Sequence, residues 1–135
     1  MILIVCVDDH NGMMFNHRRQ SQDRVLRADI LELTDGKKLW MNAYSRKQFA
    51  ESDAEKIRVD EKFLDAAEDG EFCFVENADV SGCVERIEEI YLYRWNRDYP
   101  ADVYFPVDLS MWKCVETKEF AGSSHEKITR ERYTR

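Results

Sequence analysis

A chain of 135 residues is the size of one domain, and 44% hydrophobic residues are enough to fill a core while 35% charged residues wet the surface, which excludes disorder. Twenty basic against 27 acidic residues leave a net charge of −7, which argues against general affinity for nucleic acid and fits an expected cytoplasmic location. The longest apolar run, Ile2 to Val7, is far shorter than the ~20 residues of a bilayer crossing and follows no basic segment, so neither a membrane span nor a signal peptide is expected.

Ile2-Leu3-Ile4-Val5-Cys6-Val7 is apolar without interruption, as in a central strand covered on both faces of a largely parallel sheet. It ends in the turn-forming Asp8-Asp9-His10-Asn11-Gly12, and Met13 to Gln22 reads as a mobile stretch. Asp23 can cap a helix whose Leu26, Ile30 and Leu33 fall at i, i+4 and i+7, closed by Asp35-Gly36. Lys38 to Met41 is a short buried strand. Ser45-Arg46-Lys47-Gln48 has capping-box spacing and predicts a second helix from Ser45. A short strand fits Ile57 to Val59, after which Asp60 caps a third helix carrying Phe63, Leu64 and Ala67. Phe72 to Val75 is another fully apolar strand, Ser81 to Glu89 holds at most a short helix, and Ile90 to Trp95 is a strand. Tyr104 to Val107 is extended, and strands at Trp112 to Phe120 and His125 to Tyr133 flank an Ala121-Gly122-Ser123-Ser124 turn. The order predicts a single α/β domain over residues 1–135: a central, mostly parallel sheet with helices on both faces and a C-terminal antiparallel hairpin.

Cys6, Cys73, Cys83 and Cys114 contain no CxxC pair and read as buried reduced thiols, and His10, His17 and His125 form no HExxH or HxHxDH cluster, so no metal is expected. One basic segment, His17, Arg18, Arg19, Arg24 and Arg27, either gathers phosphate at a helix N-terminus or forms a solvated face paired with carboxylates. Met13, Met14 and Phe15 either cover a pocket as a flexible lid or pack their loop on the sheet. Trp40, Tyr91, Tyr93 and Trp95 read as sheet core, and His125 as a turn residue with no visible partner.

Three stretches together resemble dihydrofolate reductase: Ile4 to Met13, like that family's opening strand and Gly-containing loop; Lys38 to Ser45, where the family has a strand leading to M-G-R-x-T; and a C-terminal part with Tyr91-Leu92-Tyr93, Ala101-Asp102-Val103-Tyr104-Phe105-Pro106, Trp112, Glu119-Phe120 and Ser124-His125 in the family's order. The resemblance spans nearly the whole chain and implies a ligand pocket outside the strand ends, bordered by Val5, Cys6, Val7 and Met14. It also implies cofactor positions at Ser45, Arg46, Val75, Glu76 and Asn77, and a catalytic carboxylate at the start of the first helix, for which Asp23 is preferred over Asp29.

At these positions the chain departs from the family. Its paired glycine reads Glu76-Asn77, putting side chains and a negative charge where main chain approaches a diphosphate, and G-R-x-T reads Asn42-Ala43-Tyr44-Ser45, with Arg46 the only nearby replacement cation. The family's tryptophan and proline before the first helix are replaced within Arg18-Arg19-Gln20-Ser21-Gln22, and the stretch from Phe49 to Ile57 is too short for the family's strand and substrate-gripping arginine. The expected function is therefore that of a diverged dihydrofolate reductase-like domain without folate reduction and without a cofactor, binding an unidentified small molecule or protein. Two alternatives stand beside it: an NADPH-dependent reductase using Asp23, Ser45 and Arg46, or a protein holding phosphate, nucleotide or RNA on Arg18, Arg19, Arg24 and Arg27.

Overall fold

The computed structural model describes residues 1–49 and 55–135, so most of the shortened stretch after Phe49 lies outside the described residues. In chain order the elements are β1 (Ile2–Val7), β2 (Gly12–Phe15), β3 (Arg18–Arg19), α1 (Arg24–Leu33), β4 (Leu39–Met41), α2 (Ala43–Arg46), β5 (Ile57–Val59), α3 (Phe63–Ala66), β6 (Phe72–Val75), β7 (Glu89–Arg94), β8 (Val103–Tyr104), β9 (Lys113–Phe120) and β10 (Ile128–Thr134). Seven strands form one sheet in the order β5-β4-β6-β1-β7-β10-β9. The strands from β5 to β7 run parallel, while β10 lies antiparallel between β7 and β9.

The uninterrupted apolar run of β1 is explained by its place in the middle, where Leu3 is paired with Cys73 on one side and Ile90 on the other. Alternate residues feed opposite cores, since successive side chains of a strand point to opposite faces. Ile2 and Ile4 meet Leu26 and Ile30 of α1 on one face; Leu3, Val5 and Val7 meet Phe63 and Ala67 beside α3 on the other. Full burial of one such aliphatic side chain contributes about 1.5–3 kcal/mol, so α1 is fixed to the sheet mainly by that pair.

The structure corrects the reading of Met13 to Gln22 as a mobile stretch. Residues 12–19 form a tight hairpin, and with β8 they build a second sheet in the order β3-β2-β8. Asn16 and His17 both adopt positive φ, 51° and 62°, the geometry of a two-residue hairpin turn whose twist matches the strands it joins. Gly12 is required where the hairpin starts: a Cβ there would lie 2.5 Å from that of Ala101. The second helix also begins two residues earlier than expected, because Asn42 Oδ1 accepts the Ser45 N–H at 3.0 Å and caps it, turning Ser45 inward. Likewise α3 follows Lys62, while Asp60 makes a preceding turn by accepting the Lys62 N–H at 2.8 Å. No helix among the described residues is long and apolar enough to cross a membrane.

Candidate functional site

β1 and β6 are neighbouring parallel strands whose next packed elements part to opposite faces, α1 with Ile2 and Ile4 and the 80–87 segment with Leu3 and Val5, which is where an open α/β sheet forms a crevice. Here that crevice is filled from within. Arg19, at the end of β3, makes a two-point ion pair with Glu76, just past β6: Nε to Oε2 at 2.9 Å and Nη2 to Oε1 at 3.2 Å. The same guanidinium donates to the Tyr44 carbonyl at 3.2 Å and lies 4.4 Å from the centre of the Tyr44 ring, while the Arg19 N–H donates to the Tyr44 hydroxyl at 2.8 Å. Burial opposes the charge on Arg19, but the Glu76 carboxylate outweighs it and raises the guanidinium pKa. Behind this plug remains a cavity of about 10 Å³, bordered by Cys6, Gln20, Ser21, Val75 and Trp95, with room for one water at most.

The expected pocket residues are placed differently from one another. Val5, Val7 and Val75 are core. Cys6 borders the small cavity, its thiol pKa pushed up by burial and by Glu76. Met14 is buried in the small sheet under an open hollow beside His17 and Asn77. Of the cofactor positions, Ser45 is wholly buried and its hydroxyl has no partner among the described residues. Arg46 donates to the Phe49 carbonyl at 2.5 Å, and Asn77 Oδ1 accepts from Asn42 Nδ2 at 2.7 Å, tying the ends of β4 and β6 together. The four arginines do not converge: Arg19 is in the plug, Arg27 reaches Gln22 at 3.3 Å, and Arg18 and Arg24 are exposed.

Asp23 caps α1 through Oδ1, which accepts the N–H groups of Val25 at 2.9 Å, Leu26 at 3.2 Å and Ser123 at 3.0 Å. Its Oδ2 accepts from Ser124 N–H at 2.9 Å, Ser124 hydroxyl at 3.1 Å and His125 Nδ1 at 3.0 Å. Burial alone would raise the Asp23 pKa, yet these hydrogen bonds hold it well below the usual carboxylate range. The expectation that His125 lacks a partner is overturned. It is 4% exposed, stacked 4.5 Å from Trp95, and its Nε2 lies 3.0 Å from both the Ser21 and Tyr99 hydroxyls. Asp23 and His125 are 102 residues apart, and no local pattern in the sequence pointed to their meeting.

Asp29, the other candidate acid, is absorbed by a structural network that joins α1 to three strands. It accepts from Tyr93 at 2.6 Å, Lys118 at 2.7 Å and Arg130 at 2.8 Å. Outside the plug runs an open groove of about 260 Å³ between the hairpin and the 99–100 segment, lined by Phe15, Arg18, Arg19, Gln20, Tyr99 and Pro100. Among the described residues no three His, Cys, Asp or Glu side chains gather as a metal site.

No family model matches the chain, and no curated protein matches it. Among solved structures it is similar to dihydrofolate reductase from Enterococcus faecalis complexed with NADP(H) and RAB-propyl, at 12% identity and a TM-score of 0.70, over 99% of this chain and 95% of that one. The expected architecture is therefore the observed one: the chain has a dihydrofolate reductase-like fold.

Proposed function

We propose that this dihydrofolate reductase-like chain is a binding protein rather than a nicotinamide-dependent reductase, and that its ligand occupies the groove outside the plugged crevice. The observation that carries this reading is the Arg19–Glu76 pair closed over Tyr44. A dinucleotide does not fit the residues present. Its diphosphate would have to displace Arg19 from Glu76, and the bared carboxylate as a like charge at ~4 Å then costs about 1 kcal/mol even in water. The segment after β6 supplies only a three-residue 3-10 turn, Val84–Arg86, instead of a helix N-terminus. Ser45 is inaccessible and Arg46 is engaged with Phe49.

The groove has the chemistry of a small planar anion site: two aromatic side chains, Phe15 and Tyr99, with Arg18 exposed beside them. The four thiols are free, with Cys73 buried as expected but Cys114 exposed because it sits on the outer strand β9, and free thiols support a reducing, cytoplasmic setting for such a protein.

The test is a titration with NADPH followed by nicotinamide fluorescence and thermal melting. A specific ligand at a hundredfold excess over Kd stabilises a fold by about 2.7 kcal/mol. NADPH is expected to give no saturable shift, and a saturable shift of that size overturns the reading. In parallel, 1-naphthyl phosphate should perturb the NMR signals of Phe15, Arg18 and Tyr99, with about tenfold weaker binding in Arg18→Ala; perturbations confined to other residues remove the groove as the site.

A further inference from the structure

Beyond a binding role, and independent of it, the group around His125 carries an arrangement used for nucleophilic chemistry. Ser21 Oγ lies 3.0 Å from His125 Nε2, and His125 Nδ1 lies 3.0 Å from Asp23 Oδ2. Asp23 only accepts, so Nδ1 donates to it, and in the neutral imidazole Nε2 then presents its lone pair to the hydroxyls. The ring plane is fixed by stacking on Trp95 at 26°, and the carboxylate by four backbone N–H groups, from Val25, Leu26, Ser123 and Ser124. Gly122 permits this approach: a Cβ there would stand 2.5 Å from Asp23 Oδ2. Hydroxyl and orienting carboxylate come from one stretch, residues 21–23, and the base from the C-terminal turn, with each link at hydrogen-bond length, the mutual geometry that activates a serine.

The groove lies next to the small cavity that Ser21 borders. Tyr99, the second hydroxyl on Nε2, lines the groove, whereas Ser21 lines the small cavity behind it. Gln20 borders both, and its buried Oε1 has no partner among the described residues. Entry to Ser21 requires Gln20, held by Asp8 Oδ2 at 2.9 Å and the Pro100 carbonyl at 3.3 Å, to turn aside from the wall it shares with Arg19.

We propose that Ser21 is a nucleophile activated by His125 and oriented through Asp23, which accepts acyl groups from small activated esters entering by the groove. Ser21 Oγ bonds to the ester carbonyl carbon as its proton passes to His125 Nε2. The ester C–O bond breaks, and the departing alcohol takes that proton. Water then gives a proton to Nε2 while its oxygen bonds to the acyl carbon, the Ser21 C–O bond breaks, and Ser21 recovers the proton. Asp23 remains ionised throughout.

The full chain is treated with a fluorophosphonate, and the adducts are located by mass spectrometry. The P–F bond breaks as Ser21 Oγ bonds to phosphorus, releasing fluoride, with the hydroxyl proton taken up by His125. Positioned general-base assistance is worth roughly 100-fold or more, so Ser21 should react about 100-fold faster than the exposed Ser110 in the Leu109–Met111 turn of the same molecule. Tyr99→Phe removes the competing hydroxyl while keeping the ring, and should hold or raise the rate at Ser21. Hydrolysis of p-nitrophenyl acetate should show a burst in the natural chain that Ser21→Ala abolishes. Labelling of Ser21 no faster than Ser110, or a burst unchanged in Ser21→Ala, overturns the proposal. Neither result bears on whether NADPH binds, so the two readings fail separately.

Discussion

Glu76 was read from the sequence as an obstacle to phosphate, and Arg19 as a candidate phosphate ligand; in the fold they neutralise each other across 57 residues. The charges were legible and their pairing was not, because a long side chain reports its sign in the sequence but not its partner. Removing one member of a largely buried pair leaves the other uncompensated, at a cost of about 3–5 kcal/mol in fully buried cases. The Arg19 side chain is 21% exposed, so Glu76→Ala is expected to lose roughly 2–3 kcal/mol in urea unfolding. The double variant with Arg19→Ala should recover part of that loss, giving a coupling energy well outside the error of independent sites. His125 illustrates the same blindness at a functional position: a lone histidine in a polar turn gives no hint of its burial against Trp95.

Elements were legible where burial wrote an uninterrupted apolar run or a helical stripe. β1, β6 and α1 follow directly from such patterns, with Asp23 capping α1 as its position demanded. The hairpin of β2 and β3 was not legible, because two short strands joined by Asn16 and His17 look like a polar loop until β8 is brought alongside. That turn holds a testable strain. His17 sits at φ 62°, where glycine is at ease, so His17→Gly should raise stability by about 0.5–1 kcal/mol in thermal or chemical melts. At the other hairpin the sign reverses: a methyl in Gly122→Ala meets Asp23 and the Ile128 side chain, 2.9 Å away, and should lower stability by about 1–3 kcal/mol.

At the scale of the whole molecule, the buried Asp8, Asp23 and Asp29 contribute to the response to acid beside less buried carboxylates such as Glu71 and Glu88. For Asp8, Asp23 and Asp29 burial alone would raise the pKa, but hydrogen bonds and, at Asp29, the nearby cations hold it below its ordinary value. A carboxylate depressed in the folded state binds fewer protons there than in the unfolded chain, so its stabilisation is complete above the unfolded value near 3.9 and disappears as pH falls through the folded one. Unfolding free energy should therefore be nearly level above about pH 5 and fall steadily below about pH 4. Asp23→Asn should be less stable at neutral pH and show a shallower acid slope in urea unfolding measured across that range.

The central position of β1 also governs the order in which the chain can become a protein. Its sheet partners start at Phe72 and Glu89, so β1 is made well before either and must wait for both to follow. Until then a six-residue apolar ribbon, five aliphatic side chains and Cys6, has nothing to lie between, making the nascent chain, rather than the finished fold, the state most exposed to clumping.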